Sequence, residues 1–81
     1  MFTIYATETC TYCKQAKALL EERGLRYEYI ILTPDNIEDF RVKSYNSKTV
    51  PQVFYDDGQH PERWIGGFDK LKLFVDEWWP V

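Results

Sequence analysis

The only two cysteines of this 81-residue chain, Cys10 and Cys13, stand two residues apart in "TETCTYCKQAKALL". Three chemistries fit such a pair: metal ligation, a structural disulfide or thiol-disulfide exchange. A structural zinc site needs four ligands, usually Cys and His. Besides the two cysteines the chain offers one histidine, His60, in the polar stretch "DDGQHPE", which reads as a solvated loop. A zinc site would need an unusual set completed by carboxylates, so no metal is expected. A Cys10–Cys13 disulfide would close a loop of four residues and stabilise the fold by about 2 kcal/mol, near the low end of the range. The redox reading fits the context best. Cys10 follows a strand and opens a helix, where unpaired backbone N–H groups and the helix dipole favour an anion. A free thiol with a pKa of about 8.5 is only about 3% ionised at pH 7, and this position favours the thiolate. Lys14 adds to the effect or is simply a solvated helix lysine. Cys13 comes one turn later, less exposed. Cys10 is therefore read as the nucleophile and Cys13 as the resolving thiol.

Two further stretches could belong to the same site. In "SKTVPQVF" Pro51 precedes a strand. It is either a plain loop-to-strand junction or a cis-proline that leaves neighbouring backbone groups free to pair with a bound peptide. In "WIGGFDKL" adjacent glycines join a strand to a helix. They serve an ordinary turn, or else a positive φ or a close backbone approach beside a ligand held at the helix start, with Asp69 receiving an amine.

The elements around these residues follow from pattern. Phe2 to Ala6 is a β-branched and aromatic strand. Lys14 to Arg23 is a helix with Ala16, Leu19, Leu20 and Arg23 on one face, and Gly24 fits a left-handed C′ position. "RYEYIIL" (26–32) is the next strand, apolar on both sides in its second half, as in a strand covered by helices on both faces. "TPDNIEDF" opens a second helix, capped by Thr33 before Pro34 or by an Asp35–Glu38 capping box. "PQVFYDDG" and "PERWIGG" read as a hairpin turning at Asp57-Gly58. In the last helix Asp69 is the expected cap and Leu71, Phe74, Val75 and Trp78 the buried stripe. Phe68 and Leu73 are the expected staple and Trp79 an exposed ring, either a partner contact or simply a surface ring; Pro80 stands past the end. The order β-α-β-α-β-β-α begins with a right-handed βαβ unit. The expected architecture is a single α/β domain over 1–81, a four-stranded mixed sheet flanked by helices.

Composition narrows the function. Net charge is −3 with scattered basic residues, which argues against a nucleic-acid partner. No apolar run approaches the roughly 18 residues of a membrane span. "MFTIYATETC" lacks the basic segment and apolar core of a signal peptide, so the chain reads as cytosolic, where thiols are mostly kept reduced.

The three stretches occur together and in this order in glutaredoxins, and the chain resembles that family over nearly its whole length. The resemblance implies a thioredoxin fold and glutathione-dependent reduction of protein disulfides and glutathionylated proteins by a monomer. It implies a cis bond before Pro51. It implies a glutathione groove in which Thr49 and Val50, beside Pro51, border the glutathione, Val50 pairing backbone to backbone, while Gly67, Phe68 and Asp69 hold its γ-glutamyl end and Tyr12 lines the groove. This chain departs from the common pattern. Thr11 follows the first cysteine where proline is common, and Thr7 stands where many members have lysine. Glu38 replaces a Gln or Arg, leaving Arg41 as the nearest cation, and Lys70 replaces an acid. Two alternatives accompany the resemblance. One is a glutaredoxin-like redoxin that donates electrons to ribonucleotide reductase and is recharged by thioredoxin reductase. The other is a dimer bridged by an iron–sulfur cluster through Cys10 of each chain and glutathione.

Overall fold

In the computed structural model, which describes residues 1–79, seven elements run β1 (Phe2–Ala6), α1 (Thr11–Glu22), β2 (Tyr27–Ile31), α2 (Ile37–Lys43), β3 (Gln52–Tyr55), β4 (Arg63–Gly66) and α3 (Phe68–Trp78). Pro80 falls outside the described residues. The four strands form one mixed sheet in the order β2-β1-β3-β4. β1 pairs parallel with β2 and antiparallel with β3, and β3 pairs antiparallel with β4.

The alternation of strand β1 decides the layering, because successive side chains leave a strand on opposite faces. Phe2, Ile4 and Ala6 point to one face and are buried with Cys13, Ala16 and Leu20 of α1, Leu71 and Val75 of α3, and Val53. Tyr5 points to the other face, against Phe40 of α2 and Phe54 of β3. α1 and α3 thus share one side of the sheet and α2 covers the other.

β2 lies at the sheet edge, and none of its five residues is fully buried. The both-sided apolar run that predicts a covered strand is instead a half-buried margin. The inner positions fall to β1 and β3, each with a strand on either side.

The ends of the elements differ from the sequence reading in instructive ways. α1 begins at Thr11 rather than Lys14, because the Cys10 sulfur accepts the Cys13 N–H and so caps the helix three residues earlier. Its other end is as expected. Gly24 has φ +68°, its N–H donates to the Glu21 carbonyl and the Leu25 N–H to the Leu20 carbonyl, the paired bonds of a Schellman motif. Neither proposed cap of α2 forms. Asn36 takes the N-cap position without a side-chain cap bond, its Oδ1 accepting the Thr33 N–H at 2.8 Å. Thr33 closes a turn ahead of the helix, its hydroxyl accepting the Asp35 N–H at 3.2 Å.

At α3 the N-cap is Gly67, and Asp69 lies within the first turn rather than capping it. Leu73 is 67% exposed, so it closes no staple on Phe68. The two terminal tryptophans exchange their expected roles. Trp78 is 60% exposed. Trp79 leaves the helix at φ −132°, ψ 67° and turns its ring inward, 5.7 Å from Phe2, 5.6 Å from Tyr55 and 5.9 Å from Phe74. The helix stops one residue before its pattern would carry Trp79 outward.

Candidate active site

Cys10 sits where β1 has ended and α1 begins, with extended backbone at φ −86°, ψ 110°. Its sulfur accepts the Cys13 N–H at 3.1 Å. One of the helix's unpaired donors is therefore aimed at the atom that carries charge in a thiolate. The two sulfurs are joined as a disulfide with Cα atoms 5.2 Å apart, so the structure shows the oxidised state. The two positions are not equivalent. Cys13 is completely buried among the α1 core residues, whereas Cys10 is partly exposed. A thiol or disulfide arriving from solvent can reach Cys10 only.

The second piece is the loop entering β3. The Val50–Pro51 bond is cis. Pro51 is buried, and the Val50 carbonyl oxygen lies 3.7 Å from the Cys10 sulfur. The third piece is the turn into α3. A bulge between β3 and β4 leaves Ile65 unmatched, so Val53 faces Gly66 while Phe54 faces Trp64. Gly66 then takes φ +119°, which side-chain-bearing residues rarely adopt. Gly67 has an ordinary φ of −80° and lies against the loop, where a Cβ would make an ordinary contact 3.6 Å from the Pro51 carbonyl oxygen. Of the two glycines, the backbone requires glycine at Gly66.

Between these pieces runs a groove of about 410 Å³ lined by Tyr12, Thr49, Val50, Pro51, Gly67, Phe68, Asp69 and Lys70. Seven of these eight are the residues singled out from sequence. Tyr12 is 59% exposed, its ring packs 6.1 Å from that of Phe68, and both rings line the groove. Asp69 places a carboxylate in the first turn of α3, where the helix dipole favours it. Arg41 is not in this groove. It lies with Thr7, Asn46, Ser47 and Lys48 in a neighbouring hollow of about 540 Å³ that shares only Val50 with it. Lys70 thus lines the groove, and Arg41 and Lys48 line the hollow that adjoins it at Val50.

Sequence reasoning did not single out Lys48 or Gln52. Gln52 is a buried polar side chain at the start of β3. Strand alternation places it on the same face as Phe54, and an inward polar residue must find partners, which was the available signal. His60 is exposed and sits 2.9 Å from the Asp57 carboxylate in the β3–β4 turn, away from the cysteines. Asp57 also accepts the N–H groups of Gln59 and His60. These bonds, the one from Gln59 foremost, hold its carboxyl well below the usual range.

A mixed sheet carrying a cysteine pair at a helix start, a cis-proline loop above it and a glycine turn beside it defines a dithiol site of the thioredoxin fold. The comparisons with known proteins narrow this to a family. The family model for glutaredoxin matches residues 2–60. Glutaredoxin 1 of Rickettsia conorii is 42% identical over 71 residues, covering 84% of this chain and 65% of the relative, so the chain spans about two thirds of that protein's length. The solved structure of reduced Escherichia coli glutaredoxin superposes with a TM-score of 0.79 at 28% identity, covering 99% of this chain and 98% of that one. A buckwheat glutaredoxin solved as its glutathione complex gives 0.71 at 26% identity, covering 94% and 68%. The chain belongs to the glutaredoxin family.

Proposed function

We propose that the chain is a thiol-disulfide oxidoreductase that uses glutathione to reduce glutathionylated proteins and protein disulfides. The observation that carries this reading is the asymmetry of the pair: a reachable Cys10 sulfur bonded by the Cys13 N–H, with Cys13 sealed in the core behind it. The reading draws further support from the family and from the glutathione complex of the buckwheat relative.

In the proposed cycle the Cys10 thiolate attacks the glutathione sulfur of a mixed disulfide. A Cys10–glutathione disulfide forms, and the substrate leaves as a thiolate that takes up a proton. A second glutathione thiolate then attacks that intermediate, releasing oxidised glutathione and restoring Cys10. With a protein disulfide the first product is a Cys10–protein disulfide. Cys13, deprotonated, attacks the Cys10 sulfur, expels the reduced substrate and leaves the Cys10–Cys13 disulfide present in this structure. Two glutathione molecules return it to the dithiol. Val50 offers its backbone to the bound peptide beside the reacting sulfur, Asp69 receives the amino end of the γ-glutamyl group, and Tyr12 and Phe68 flank the chain between them.

One paired assay tests the reading. NADPH consumption on a small disulfide is followed with glutathione and glutathione reductase in one reaction and thioredoxin reductase in the other. Turnover is expected with glutathione. Turnover with thioredoxin reductase alone would overturn the assignment of the reductant and favour a redoxin recharged by that enzyme.

A further inference from the structure

Gln52 is 5% exposed and makes three hydrogen bonds around one amide. Its Nε2 donates to the Thr49 carbonyl at 3.1 Å and to the Thr49 hydroxyl oxygen at 3.2 Å. Its Oε1 accepts the Trp64 indole N–H at 2.9 Å. An indole N–H can only donate, so it dictates which end of the amide faces Trp64. The other end, the NH₂, is thereby directed at Thr49. Trp64 is itself held, its ring 5.4 Å from that of Tyr45, which sits in the left-handed region at φ 53° just past α2.

This matters because of what Thr49 carries. Lys48, Thr49 and Val50 make no backbone–backbone hydrogen bond among the described residues. Thr49 and Val50 both line the groove, and the Val50 carbonyl stands 3.7 Å from the Cys10 sulfur. The Gln52 amide therefore supplies the tie that fixes the loop in front of the nucleophile. Because the Thr49 hydroxyl oxygen accepts from Gln52, its proton remains available to an acceptor in the groove.

We infer that Gln52, oriented by Trp64, is a positioning residue that holds Thr49 and Val50 in the geometry that binds the disulfide substrate. The inference rests on the disulfide-exchange reading above and adds a determinant of substrate binding on the far side of β3. Gln52 touches neither substrate nor sulfur, so its removal acts on binding and leaves the chemistry of Cys10 alone.

Two variants separate the parts of the arrangement. Gln52→Glu keeps the shape and the acceptor for Trp64 but loses the donor to Thr49. Trp64→Phe keeps a ring beside Tyr45 but loses the N–H that orients the amide. Wild type and both variants are compared on a glutathionylated peptide, with glutathione and glutathione reductase as the recycling system. KM is expected to rise roughly fivefold or more in Gln52→Glu, at least the effect of one of the two hydrogen bonds lost to Thr49, with kcat nearly unchanged. Trp64→Phe shifts KM in the same direction, and the double variant adds little to Gln52→Glu, because both act through one amide. The pH profile of Cys10 alkylation by iodoacetamide, which needs no groove, is expected to match wild type in both. An unchanged KM in both variants, or a change in the alkylation profile, would overturn the inference. Lower thermal stability with unchanged KM would show a purely structural role and overturn it equally. Should Gln52→Glu fail to fold, Trp64→Phe decides alone, since Trp64 is already 38% exposed. A wild-type protein that does not turn over the peptide overturns the functional reading itself, an outcome distinct from an active wild type with indifferent variants.

Discussion

Two sulfurs of one type have different roles because one is covered and the other is not. Cys10→Ser is expected to abolish all exchange, measured as NADPH-coupled turnover, because Cys13 is completely buried and cannot substitute for it. Cys13→Ser is expected to keep activity on a glutathionylated peptide, since glutathione can resolve the intermediate, and to lose activity on protein disulfides. A Cys13→Ser protein that is inactive on the peptide would reverse the assignment of roles. Asp57 supports a prediction of another kind. The backbone N–H of Gln59, the His60 ring and the His60 N–H lower its pKa in the folded state. A lowered folded-state pKa means that the turn's stabilisation is complete above the ordinary carboxylate value and is lost only as pH falls below it. A carbon-13 titration should therefore show no Asp57 inflection between about pH 3 and 5, where an unperturbed Asp ionises. An inflection near the ordinary value of about 3.9 would show that these bonds do not persist in solution.

Among the elements, α3 separates what pattern reveals from what it hides. Leu71 and Val75 were legible as core because a helical stripe repeats at i and i+4, and both are fully buried. Trp78 fits the stripe as the last helical residue yet is exposed, and Trp79, expected outside, turns inward because the helix ends before it. Trp79→Ala is expected to cost about 3 kcal/mol in urea unfolding, the low end for a large aromatic, through loss of its contacts with Phe2, Tyr55 and Phe74. Trp78→Ala should stay within about 0.5 kcal/mol, as for a surface position. Equal costs would place the two rings otherwise. The same limit explains α1 and α2. Cys10 capping α1 through sulfur, and Asn36 taking the N-cap of α2, depend on atom positions that residue spacing does not report. The cysteine pair, the proline and the glycines were legible because local backbone chemistry restricts which residues can stand there. Gln52 was not, since its partners Thr49 and Trp64 lie three and twelve residues away.

In the whole molecule one side chain joins the two helices beneath the sheet. Arg23, at the end of α1, donates to the Trp79 carbonyl at 2.8 Å and to the Asp76 carboxylate at 2.7 Å. Its side chain is 14% exposed against 46% for Asp76, so the carbonyl bond is the better shielded of the two. Arg23→Met keeps the aliphatic stem and is expected to cost about 1–3 kcal/mol in urea unfolding. Raised salt should recover little of that difference, because only the Asp76 contact is exposed to screening. On the other face Lys43 at the end of α2 reaches Glu62 of the hairpin loop at 2.6 Å and the Tyr5 hydroxyl at 3.4 Å. Burial alone would lower the Lys43 pKa, but Glu62 and Tyr5 together raise it.

The three tryptophans occupy three different settings: Trp64 beside the substrate loop, Trp78 in water, and Trp79 under the sheet. The protein is therefore its own optical instrument. With Trp78 and Trp79 replaced by Phe, the remaining indole emission should respond to peptide entering the groove. With Trp64 and Trp78 replaced, it should stay constant until the chain unfolds. Groove occupancy and global unfolding can thus be followed separately, in two matched variants, without an added dye.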